Sequence, residues 1–106
     1  MDERLRKAYL YDFYGELLTQ RQQDIFQMHF CEDMSLAEIG ERCGISRQAV
    51  NDALKQGQKT LDELELTLGL VASHFALQRG LSSVDDALAR NDFREARLIL
   101  KELMEG

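Results

Sequence analysis

Five side chains spaced along one short stretch carry the chemistry this sequence can offer: Arg47, Gln48, Asn51, Asp52 and Lys55. At 3.6 residues per turn they share one face of a helix. A guanidinium can fork onto the two acceptors of guanine. A glutamine or asparagine amide can do the same to adenine, and an ammonium can pair with a phosphate. Asp52 works against this set, because a carboxylate repels phosphate. Ordinary solvated residues on an exposed helix would look similar one at a time, so the set has to be judged by what positions it.

The positioning elements are legible from Ser35 to Leu54, SLAEIGERCGISRQAVNDAL. Ser35 with Glu38 makes a capping box that starts a helix. Leu36, Ile39 and Cys43 give that helix an apolar face. Gly44 stands where a left-handed residue ends it, and Ile45 plugs the corner. Ser46 caps a second helix whose inward face is Ala49, Val50, Ala53 and Leu54. Two helices joined by a short glycine-containing turn form a helix-turn-helix, and its second helix enters the major groove with its N-terminal residues leading. Arg47, Gln48, Asn51 and Lys55 are therefore the candidate nucleic-acid-binding residues.

The apolar pattern runs on. Val50, Leu54, Gly57, Leu61, Leu64 and Leu68 recur in steps of four and three, a heptad seam that extends the second helix to about Leu68. About 22 residues at 1.5 Å each make it roughly 33 Å long, more than base reading requires. This seam must be covered by the N-terminal helix, by the C-terminal segment or by another copy. It is the basis for expecting a homodimer.

Around this centre the rest of the chain also reads as helices. Met1 to Leu18 carries Leu5, Tyr9, Phe13 and Leu17 at four-residue spacing, with Leu10, Tyr14 and Leu18 beside them. The aromatic stripe Tyr9, Tyr11, Phe13, Tyr14 suits core packing; a platform for stacking unpaired bases is the other reading. Thr19 with Gln22 makes a second capping box, before a helix with Ile25, Phe26, Met28, His29 and Phe30. Gly69 marks a break. Beyond it the pattern predicts a short helix over 70–78 ended by Gly80, another over 84–90 capped by Ser82 or Ser83, and a last helix from Phe93 to Glu105 started by Asp92. The expected organisation is a helix-turn-helix domain over 1–69 and a C-terminal helical extension over 70–106.

Composition limits the function classes. The 106 residues are 44% hydrophobic and 30% charged, with no proline. That is a globular composition, with no apolar run long enough to span a bilayer and no signal segment at its start, so a cytoplasmic location is expected. Cys31 and Cys43 are too few for a disulfide framework. With His29 and His74 they match no zinc spacing, so no metal is expected. No phosphate loop, nucleophile elbow or nucleophile–base pair is present, so neither enzymatic activity nor a cofactor is expected. The net charge of −6 cuts against non-specific DNA binding, for which a basic surface is usual. From Gly44 to Lys59, however, Arg47, Lys55 and Lys59 face only Asp52, a locally positive stretch.

The stretch from Leu17 to Leu61, beginning LLTQRQ and passing through SLAEIGERCGISRQAV, resembles region four of bacterial sigma factors, a promoter-reading helix-turn-helix. With the preceding YLYDFYGELLT it looks like the YlxM family, helix-turn-helix proteins associated with the signal recognition particle. Gly40 departs from the motif, which more often has alanine there. The resemblance implies an all-α fold: a sigma region-four-like helix-turn-helix bundle with a long recognition helix and a C-terminal helical extension. By motif position it carries Ser46, Arg47, Gln48, Asn51 and Lys55 over as the nucleic-acid-binding face, and it implies DNA or the particle's RNA as ligand and a regulatory role in protein targeting. The alternative is an interaction module that docks on the particle's GTPase, or another protein of that pathway, without binding DNA.

Overall fold

In the computed structural model, which describes residues 2–106, six α-helices follow one another: α1 (Glu3–Tyr14), α2 (Gln20–Phe26), α3 (Leu36–Cys43), α4 (Arg47–Leu68), α5 (Leu70–Ala89) and α6 (Phe93–Glu105). Among the described residues there is no strand. The expected helix start at Met1 lies outside the described residues; Asp2 caps α1 by accepting from the amides of Arg4 and Leu5. The chain divides into two compact units, Met1–Leu68 and Gly69–Gly106.

In the first unit, the row of α1 that enters the core is Leu10 and Tyr14, continued by Leu18, rather than Leu5, Phe13 and Leu17, which stay exposed. Both rows have four-residue spacing, so periodicity could not choose between them. Tyr14 settles which row is inside: its ring is buried, and its hydroxyl donates to Glu65 Oε1 of α4 at 2.6 Å. After α1, Gly15–Leu17 tighten into a 3-10 turn. Thr19 and Gln22 then form the expected capping box of α2. The helix expected to continue through Phe30 instead widens into a π turn over Gln27–Cys31. His29 in this turn lies 3.3 Å through Nδ1 from the Met34 carbonyl, a packed and hydrogen-bonded histidine.

Ile25, Ile39 and Val50 are fully buried and hold α2, α3 and α4 together, with Met28, Leu36, Ile45, Ala53 and Leu54 packed around them. Burying each of the three contributes on the order of 1.5–3 kcal/mol. The heptad seam is covered by the chain itself along much of its length. Val50, Gly57 and Leu61 are buried within this unit. At Gly57 the Phe26 ring lies so close that a Cβ would fall 2.6 Å from its Cε2. Tyr11 stacks on Phe26, with centroids 5.6 Å apart and rings 4° from parallel. Tyr11 and Tyr14 of the aromatic stripe therefore supply packing while Phe13 stays exposed, and the Phe26 ring of α2 covers the seam at Gly57, where a second copy was one of the expected covers.

In the second unit, one helix replaces the two expected between residues 70 and 90: α5 passes straight through Gly80 and Ser82–Ser83. Gly80 does not stop the helix because its missing side chain is used for packing; a Cβ there would meet Leu103 Cδ2 of α6 at 2.5 Å. Ser83 bonds back to the Arg79 carbonyl, a helix-interior use of its hydroxyl rather than a cap. The corner into α6 is built by Asn91 in the left-handed region (φ 60°) and by Asp92, which accepts from the Glu95 amide. Val84 and Ala87 of α5 meet Ala96, Ile99 and Leu103 of α6, so the two helices run antiparallel.

Candidate nucleic-acid interface

The corner that aims α4 is formed as the sequence requires. Ser35 and Glu38 close a capping box on α3. Gly44 takes φ 70°, ψ 32°, and the Ile45 amide reaches back to the Gly40 carbonyl at 2.9 Å, which satisfies the last turn of α3. A Cβ on Gly44 would touch nothing within 4 Å, so its requirement is purely conformational. Gly40 has the opposite requirement. A Cβ there would lie 2.7 Å from the Ile45 carbonyl oxygen, so the chain turns tightly against α3 in space that an alanine would fill.

Ser46 Oγ accepts from the Ala49 amide at 3.0 Å and caps α4. Its hydroxyl is thus a structural group first, with its proton directed elsewhere. Arg47, Gln48 and Lys55 are exposed and Asn51 is half-buried. Arg47, Gln48 and Asn51 line one shallow open groove together with Leu36 of α3. Lys55 lies about one turn beyond Asn51 and is not part of that groove. The sequence pattern assigns Leu36 only to the apolar face of α3. Its place directly after the Ser35 cap, at the start of α3, is the signal that could have put it at the groove edge.

Charge along the face is uneven. Among the described residues no carboxylate lies within 4.0 Å of Arg47 or Lys55. Lys59, the third cation of the stretch, pairs with Glu63 at 4.0 Å, and Arg42 of α3 sits 3.9 Å from Glu32. Gln48 donates through Nε2 to Asp52 Oδ1 at 2.9 Å. The face therefore offers two unpaired cations, a half-buried amide, an amide held by a carboxylate, and the positive end of a 22-residue helix. Among the described residues, no three His, Cys, Asp or Glu side chains are grouped to hold a metal ion, and no helix is long and apolar enough to cross a membrane.

Residues 1–100 match the family model described as "Putative helix-turn-helix protein, YlxM / p13 like", UPF0122. The chain belongs to the UPF0122 family. Among its UPF0122 relatives, the protein STH1464 of Symbiobacterium thermophilum is 45% identical over 98 residues, covering 92% of each chain. The protein TTE1463 of Caldanaerobacter subterraneus is 42% identical over 87 residues, covering 82% of this chain and 74% of the relative. The protein BH2485 of Halalkalibacterium halodurans is 34% identical over 105 residues, covering 99% of this chain and 96% of its own. The UPF0122 match extends well past α4 into α6, so the C-terminal hairpin belongs to the family as much as the helix-turn-helix does.

Proposed function

We propose that this UPF0122 protein is a non-enzymatic nucleic-acid-binding regulator that acts in the cytoplasm in the signal recognition particle pathway. The observation that carries the reading is the open N-terminal face of α4, where Arg47 and Lys55 stand without a carboxylate partner while Lys59 and Arg42 are paired. Arg47, Gln48 and Asn51 line the groove at a helix N-terminus, where backbone amides and the helix dipole favour a phosphate or a base edge. Ser46 lies at the same end and adds a hydroxyl. Lys55 meets the phosphate backbone further along. The ligand is duplex DNA or the particle's RNA.

The acidic balance of the first unit favours a second reading. Residues 1–68 hold eight Lys/Arg against thirteen Asp/Glu, so the open cations sit on an anionic body. On this reading the protein docks on the particle's GTPase, or another protein of the pathway, and binds no nucleic acid.

One titration separates the two. Affinity for the particle RNA and for random duplex DNA is measured at 50 and at 200 mM salt, for the wild-type protein and for Arg47→Ala/Lys55→Ala. Nucleic-acid binding through this face predicts a steep salt slope and a loss of roughly tenfold or more in the double variant at low salt. Equal affinities in variant and wild type reject the assigned face. A pull-down of the GTPase that is insensitive to both salt and the double variant supports the docking reading.

A further inference from the structure

We propose that the open side of the α5–α6 hairpin is the surface on which two copies of this chain associate, closing into a four-helix bundle.

The hairpin uses one face of each helix internally. Val84, Ala87 and Gly80 of α5 pack against Ala96, Ile99 and Leu103 of α6. Beside that seam each helix carries a second apolar row. On α5 it is Leu77, Leu81 and Leu88, which are 47%, 44% and 46% exposed; on α6 it is Phe93, Leu100 and Met104, which are 60%, 39% and 84% exposed. The steps are four then seven on α5 and seven then four on α6, the spacing by which a helix meets another helix along its length. At about 100° per residue, each row is displaced in the same rotational sense from the internal seam of its own helix. Because the helices are antiparallel, equal senses bring both rows to the same side of the hairpin. The result is a two-helix layer with one apolar side.

Three observations specify a second copy as the occupant. The unit spans Gly69–Gly106 and consists of one pair of helices, so its apolar side has no third helix within the unit to cover it. Its charge is nearly balanced, with five Lys/Arg against six Asp/Glu, so two copies can approach without the repulsion carried by residues 1–68. The flanks are also complementary. Exposed Asp85 borders the α5 row, and exposed Arg97 and Lys101 border the α6 row. A two-fold axis through the apolar side lays each α5 on the partner's α6 and sets these charges against each other. This surface differs from the α4 seam, whose Val50, Gly57 and Leu61 are already buried. It is independent of which ligand the α4 face binds.

The test is light scattering of the full chain under reducing conditions, from submicromolar to high micromolar concentration, with sedimentation equilibrium for the dissociation constant. The expected result is the mass of two chains at the upper end. Met104→Lys, at the most exposed position of the row, puts a charge into the apolar contact and should weaken association roughly tenfold or more. Leu81→Glu/Leu100→Glu should give a monomer with an unchanged helical circular dichroism spectrum. A wild-type chain that stays monomeric throughout overturns the proposal. A dimer that neither variant weakens overturns the assigned surface. If the double variant loses its helical spectrum, the decision rests on Met104→Lys. Salt-dependent nucleic-acid binding, read through Arg47 and Lys55, is scored separately.

Discussion

Gln48 and Asp52 are joined on the open face of α4 by a 2.9 Å hydrogen bond from Nε2 to Oδ1. An amide held this way can still present its oxygen and second N–H to adenine, so the bond orients Gln48 while the carboxylate repels the backbone. Asp52→Ala should therefore raise affinity for duplex or RNA by roughly threefold to tenfold at low salt, and the gain should fade as ionic strength rises. Binding isotherms at two salt concentrations check this. An affinity that falls on substitution would mean that orientation outweighs charge.

The two glycines at the corner should respond to alanine for different reasons. Gly44→Ala places a side chain at φ 70° in open space and should cost about 1–2 kcal/mol, the left-handed penalty. Gly40→Ala gains helix propensity of about 1 kcal/mol but drives its Cβ to 2.7 Å from the Ile45 carbonyl. That should shift the start of α4 as well as destabilise. Gly44→Asn should recover part of the Gly44→Ala loss and do nothing comparable at position 40. Urea denaturation with backbone amide shifts around Ser46 distinguishes the two mechanisms.

Gly57→Ala should cost about 1–3 kcal/mol through overpacking. The Phe26 ring is buried and stacked on Tyr11, so it can yield only toward the cavity of about 160 Å³ that Tyr11, Phe26 and Phe30 line. A denaturation midpoint equal to that of the wild type would show that the ring can move aside.

Burial raises the Tyr11 phenol above its ordinary value of 10.0, with Cys31 and Asp24 adding in the same direction. The native state thus holds this proton more tightly than the unfolded chain. The resulting stability is present below pH 10 and is lost as pH rises through the native value. A spectrophotometric titration at the phenolate band should show late ionisation, and Tyr11→Phe should remove part of it. A Tyr11 that titrates with the free phenol would contradict the burial argument.

The amino-acid order alone fixes the local features. The capping boxes at Thr19 and Ser35, the left-handed Gly44 and the long α4 all depend on residues within a few positions of one another, so pattern and spacing were sufficient. The choices between equivalent patterns depend on distant contacts. Periodicity could not separate the row of Leu10 and Tyr14 from that of Leu5, Phe13 and Leu17, because only the Glu65 carboxylate and the α4 surface distinguish them. Gly57 reads in sequence only as one position of the heptad seam, and the Phe26 ring shows what covers it. Gly80 and Ser83 looked like breakers until Leu103 occupied the missing Cβ space and the hydroxyl turned back on its own helix. Which cations remain unpaired was equally non-local for Arg42, whose partner Glu32 lies ten positions earlier and outside its helix. Caps and corners are short-range steric and hydrogen-bonding requirements written in consecutive residues. Which face is buried, and which glycine is a contact rather than a break, is decided only when segments far apart in the chain compete for the same volume.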